Sequence, residues 1–139
     1  MHYKFNLMDS NTRYFTEGDY PMLLEWWKFW RFSAPGLNNL PKTGVIVNID
    51  STDVCSGFVY LTNSNMCWVE FIVSNPDVKD KEVRKVAISE CINQLCYIAK
   101  EMGYEVAYTS LKNESLQNKY LEEGFILGSK GCNEYIKLL

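Results

Sequence analysis

The stretch from about Asp80 to Met102 constrains this chain most. Val83, Ala87, Cys91, Leu95, Ile98 and Met102 recur at helical spacing, Val86, Ile88, Ile92 and Ala99 widen the stripe, and Gly103 follows as a stop. A stripe that wide predicts a helix lying flat on a sheet. Strand-like runs stand on both sides of it. Val45–Ile49, Cys55–Leu61 and Met66–Ser74 come first, joined by the turns Asp50-Ser51-Thr52-Asp53 and Thr62-Asn63-Ser64-Asn65, and predict an antiparallel meander. Asn75-Pro76-Asp77 ends the third run. After the helix, Val106–Ser110 reads as a strand, Glu114–Glu123 as a short helix, Gly124-Phe125 as the start of another strand and Asn133–Leu138 as a final one.

Ahead of the meander, a short strand is expected somewhere between Tyr3 and Phe15. Thr16 and Asp19 resemble a capping box, Pro21 suits a first helical turn, and Leu23, Trp26, Trp27 and Trp30 mark one helical face expected to pack on the sheet. The order β-α-β-β-β-α-β-α-β-β predicts an α+β fold of three layers, with a mixed, mostly antiparallel central sheet between helices. At 139 residues, with no internal repeat or linker, residues 1–139 are expected to form one domain.

Composition removes several function classes. The only histidine is His2, so a triad or a histidine-rich zinc site would have to be built on the terminus. The net charge of −3 argues against duplex nucleic acid as a partner through bulk electrostatics. Cys55, Cys67, Cys91, Cys96 and Cys132 are odd in number and lack C-x-x-C spacing, which points to buried thiols in a reducing compartment rather than disulfides. No apolar run reaches the ~18 residues a membrane span needs. A soluble, cytoplasmic protein without a membrane partner is expected.

Local words then narrow the fold. Phe71-Ile72-Val73-Ser74-Asn75-Pro76-Asp77 runs into the long helix. Asn113 is followed by Tyr120 and then Gly124-Phe125, and Asp19-Tyr20-Pro21 opens the first helix. In this order they resemble the GNAT superfamily of acyl-CoA-dependent N-acyltransferases. With Glu25-Trp26-Trp27-Lys28, Leu40-Pro41-Lys42-Thr43-Gly44 and Gly57-Phe58-Val59-Tyr60, the chain looks like the GNAT-like proteins carried by bacteriophages. The resemblance spans essentially all of the chain. It implies an acetyl-CoA-dependent N-acetyltransferase acting on an amine, small molecule or protein, in the host cytoplasm if phage-encoded. It also implies a splayed sheet whose fourth strand, near Ile72 and Val73, offers backbone groups to pantetheine. The start of the long helix would hold the pyrophosphate, since a helix N-terminus presents unpaired N–H groups.

The resemblance places the phosphate loop on Lys79-Asp80-Lys81-Glu82-Val83-Arg84, with Glu82 and Arg84 where the family has small residues, usually glycine. Glycine there permits close approach to phosphate. Lys79, Lys81, Arg84 and Lys85 offer charge in compensation. The alternative is an ordinary first helical turn on a protein that no longer binds coenzyme A and acts by binding a host or phage protein.

Acyl transfer needs a base for the ammonium proton and an acid for the departing thiolate. Without histidine, a carboxylate and a phenol are the candidates. Tyr120 matches the family's thiolate-protonating tyrosine, or is a core aromatic stacked on Leu116. Glu70, in Cys67-Trp68-Val69-Glu70-Phe71-Ile72-Val73, borders a cleft as base or is a solvated carboxylate on an open sheet face. Strict alternation would set Glu70 on one face with Trp68 and Ile72, opposite Val69 and Phe71. Asn113 serves the pantetheine or adenine end, or caps a helix. Phe29 and Phe32 line an acceptor pocket or a homodimer contact.

Overall fold

The structure is a computed structural model and describes residues 10–139. His2 and the first part of the expected N-terminal strand lie outside the described residues.

Five strands form one sheet: β1 (Ser10–Tyr14), β2 (Gly44–Ile49), β3 (Thr52–Tyr60), β4 (Met66–Ser74) and β5 (Val106–Tyr108). They lie in sequence order, antiparallel from β1 to β4. The helix α2 (Lys81–Glu101) carries the chain across to β5, which pairs with β4 in parallel. This one crossover is what separates β4 from β5 in sequence while leaving them adjacent in space. The helices α1 (Tyr20–Phe29) and α3 (Glu114–Glu122) complete the fold.

The sheet is buried on both faces, which explains why β2 reads as a continuous apolar run. Val45, Val47 and Ile49 pack with Ala87, Cys91, Ile92 and Leu95 of α2, whereas Ile46 packs with Leu23, Trp26 and Trp27 of α1. Gly57 lets α2 settle onto β3, because a Cβ there would come within 2.4 Å of Ile72 and 2.9 Å of the Cys91 sulfur. Asp50 and Ser51, both at positive φ (50° and 69°), make the tight β2–β3 turn.

Three expectations are corrected. Trp30 is not in the core: it is 46% exposed, because the helical turn ends at Phe29 and its ring swings outward. Phe71 and Glu70 are not on opposite faces. The β3–β4 register passes from Phe58↔Glu70 to Ser56↔Val73, leaving Phe71 and Ile72 in a bulge, with Phe71 at φ 59°. The extra residue turns Phe71 toward α1 and Ile72 toward α2.

The third correction concerns the end of the chain. The strands expected from Gly124-Phe125 and over Asn133–Leu138 are not formed among the described residues, so the order there is β-α-β-β-β-α-β-α. Phe125 still packs edge-on against Tyr120, at 4.9 Å between ring centres. Beyond it Ile126, Tyr135, Ile136 and Leu138 are exposed. Two short apolar runs separated by Gly128–Asn133 form too little ladder to hold a hairpin by themselves.

Candidate functional site

The sheet opens into a cleft between β4 and β5. Their pairing is limited to Met66↔Val106, Cys67↔Ala107 and Trp68↔Tyr108. One further tie follows, from the Thr109 hydroxyl to the Val69 carbonyl oxygen at 2.7 Å. Past it, residues 70–74 have no partner in β5. The bulge at Phe71 bends β4 at the same point, and a bulky residue held at positive φ stores strain where the strands diverge.

Glu70 stands at this divergence and is half-buried. Desolvation, with the Glu134 carboxylate nearby, pushes its carboxyl up to about 7. Its charge in turn raises the phenol of Tyr60, although burial contributes more there. Glu70 is therefore a carboxyl that changes its charge near neutrality.

Tyr120, on α3, is 4% exposed and belongs to the core under α2. Burial pushes its phenol well above the usual range, while a hydrogen bond with Thr109 pulls the other way. Thr109 thus links Val69, the neighbour of Glu70, to the Tyr120 hydroxyl. The two side chains singled out as base and acid, far apart in sequence, come near enough for the charge of Glu70 to act on Tyr120, although Tyr120 is enclosed in the core.

The other end of the cleft is the start of α2. Its N-cap is Asp80, whose Oδ1 accepts from the amides of Glu82 (2.9 Å) and Val83 (3.4 Å). Arg84 donates to the Val78 carbonyl at 2.6 Å and Lys79 to that of Pro76 at 2.9 Å. Lys79 also lies 5.8 Å from the Phe29 ring centre, and Lys85 pairs with Glu82 at 3.7 Å. Lys81 is exposed. Trp30 donates its indole N–H to the Ser74 carbonyl at 2.8 Å, closing the last carbonyl of β4.

The remaining candidates are placed as follows. Ile72 lies over Gly57 against α2, and Val73 is buried in the α1 cluster. Asn113 caps α3, its Oδ1 accepting from the Leu116 amide at 2.9 Å. Phe32 packs against Phe71, and Phe29 against Trp30. The five cysteines are free, and burial raises the thiols of Cys67, Cys91 and Cys96, the last to about 11, which leaves them protonated and unreactive at neutral pH. No metal-binding cluster occurs among the described residues, and no helix among them is long and apolar enough to cross a membrane. A cavity of about 410 Å³ lies at the paired end of β4 and β5, lined by Cys67, Cys96, Lys100 and Tyr104, and holds none of the candidate residues.

Sequence reasoning missed the cap that Asp80 makes, the bond of Trp30 to Ser74, and the places of Thr109 and Glu134 beside the site. Asp80 had a signal: an Asp three residues ahead of Val83, where the apolar stripe begins, is a helix-start signature. The other three act through contacts with distant segments and had none.

No protein-family model matches the sequence, and no curated protein matches it. Solved structures do. The ribosomal-protein-S18-alanine N-acetyltransferase from Escherichia coli superposes with a TM-score of 0.71 at 10% identity, over 87% of this chain and 80% of that one. An aminoglycoside acetyltransferase from an uncultured soil metagenomic sample, in complex with trehalose, gives 0.64 at 13% identity, over 93% and 96%. N-acetylglutamate synthase from Neisseria gonorrhoeae, complexed with coenzyme A and L-arginine, gives 0.65 at 15% identity, over 86% of this chain and 28% of that larger one. With a five-stranded, mostly antiparallel sheet flanked by helices and superposing on these acetyltransferases, this chain has the fold of the GNAT acetyltransferases.

Proposed function

We propose that the 139 residues act as one GNAT-like domain that transfers an acetyl group from a coenzyme A thioester to an amine. The observation that carries this reading is the parting of β4 and β5 after three residue pairs in a chain with the fold of the GNAT acetyltransferases, and the raised carboxyl of Glu70 beside that gap supports it. A general base works best when its pKa lies near the operating pH. The thioester supplies an activated acyl carbon; the chain supplies proton handling and position. Glu70 takes the proton from the incoming ammonium, freeing the nitrogen lone pair to form the C–N bond as the C–S bond breaks. Tyr120, kept protonated by burial, donates to the departing sulfur, and its phenolate takes up the second proton that the nitrogen sheds on becoming an amide, while Glu70 passes its own proton to solvent. In sum, the amide and a free thiol form, and one proton is released.

The fit to the donor is uneven. The unpaired edge of β4 suits an arm that carries amides, whereas the start of α2 is already capped by Asp80. That cap favours a second reading, a GNAT-shaped protein that acts by binding a host or phage protein. Calorimetric titration with acetyl-CoA separates the two. Binding, followed by release of thiol in the presence of an amine and loss of that release in Glu70→Gln, supports the transferase; no heat at millimolar ligand removes it.

A further inference from the structure

At the nucleotide end of the cleft, nearly every group suited to an anion is engaged by the chain itself. The Asp80 carboxylate occupies the amides of Glu82 and Val83. Arg84 and Lys79 are held by the carbonyls of Val78 and Pro76, and Lys85 by Glu82. A phosphate arriving here would meet a carboxylate in the position it must take, with Glu82 beside it, and like charges repel at such range. Side chains at positions 82 and 84 add bulk where close backbone approach is needed.

The strand end is different. Ile72 has no ladder partner in either neighbouring strand, and residues 70–74 are unpaired on the β5 side. That edge can receive amides. Only the Ser74 carbonyl is closed, by Trp30.

We infer that this site takes its acyl group from a pantetheine thioester recognised through its arm, and that the pyrophosphate and nucleotide of coenzyme A add nothing to binding. The inference rests on the acyltransferase reading above and names its donor class. Where a remote nucleotide serves as a handle, cutting it away costs affinity or turnover. Here its removal costs little, because the groups that would grip it grip one another.

Nuclear magnetic resonance titration of the ¹⁵N-labelled full chain with coenzyme A and, separately, with pantetheine tests this. The expected result is dissociation constants within about fivefold of each other, with the Ile72 and Ser74 amides shifting and those of Glu82 and Val83 unmoved. Coenzyme A binding tighter by about 50-fold or more, with Glu82 and Val83 shifting, overturns the inference and leaves the transferase reading standing. Binding of neither at millimolar concentration removes that reading, and the donor class with it. Asp80→Ala provides the second arm. It should tighten coenzyme A about tenfold and leave pantetheine unchanged, and an unaltered coenzyme A affinity would overturn the part given to Asp80.

Discussion

The two ends of the β4–β5 cleft are built on opposite principles. At one end Glu70 is half-buried without a cationic partner among the described residues, Phe71 is held at positive φ, and the strands part. At the other, Asp80 caps α2, Arg84 and Lys79 close the preceding loop and Trp30 seals Ser74. The first end gives up stability to hold reactive groups; the second is finished structure. On the proposed reading, the strained end is where protons move and the capped end makes weak demands on the nucleotide.

The most severe way to break this contrast is at Glu70. Glu70→Gln should lower the rate of thiol release by ~10³-fold, and a rate within a few fold of wild type would remove Glu70 as base. The same variant should be more stable than wild type. A carboxyl whose folded pKa of about 7 exceeds its unfolded value of 4.5 loses stability as pH rises between those values. The advantage of Glu70→Gln should therefore grow from pH ~4.5 to ~7 and stay level above, as read by denaturant unfolding across pH. Over the same window, the wild-type rate should climb with pH and flatten above about 7.

Tyr120→Phe comes next. Its ring keeps the packing on Phe125 and only the hydroxyl is lost, so the fold should survive while turnover falls by ~10- to 10²-fold. Steady-state turnover against a melting curve separates the two effects, and a large drop in Tm with normal turnover would make Tyr120 a core residue alone.

Changes at the finished end should register in stability instead. Asp80→Ala removes an N-cap and should cost about 1 kcal/mol, or roughly 4 °C in Tm. Glu82→Gln breaks an exposed pair with Lys85 and should alter stability by less than ~0.5 kcal/mol. A larger effect of Glu82→Gln than of Asp80→Ala would mean that the helix start is held by its surface charges rather than by its cap.

Much of the frame was legible in the sequence. The stripe over 80–102 became α2, the turn residues at 50–53 and 62–65 delimited the meander, and the capping box at Thr16 and Asp19 formed, with the Asp19 carboxylate accepting from the Thr16 amide at 2.9 Å. These are local signals, in which spacing and residue type carry their own physical reason. Glu70 and Tyr120 were legible as residue types at positions of a resemblance. Their environments were not: the bulge that re-aims the strand at Phe71 has no composition signature, and neither does the contact of Thr109 with both Val69 and Tyr120.

By itself, then, the sequence determined the order of elements up to α3 and most of the face that α2 buries. Hydrophobic periodicity and turn chemistry act within a few residues, so they survive without coordinates. Only the tertiary structure decided that the last apolar runs find no partner strand, that Trp30 turns outward and that the basic residues at 79–85 are mostly engaged nearby. Each of those outcomes depends on which segments meet across the fold, and on whether desolvation or a hydrogen bond prevails where they do.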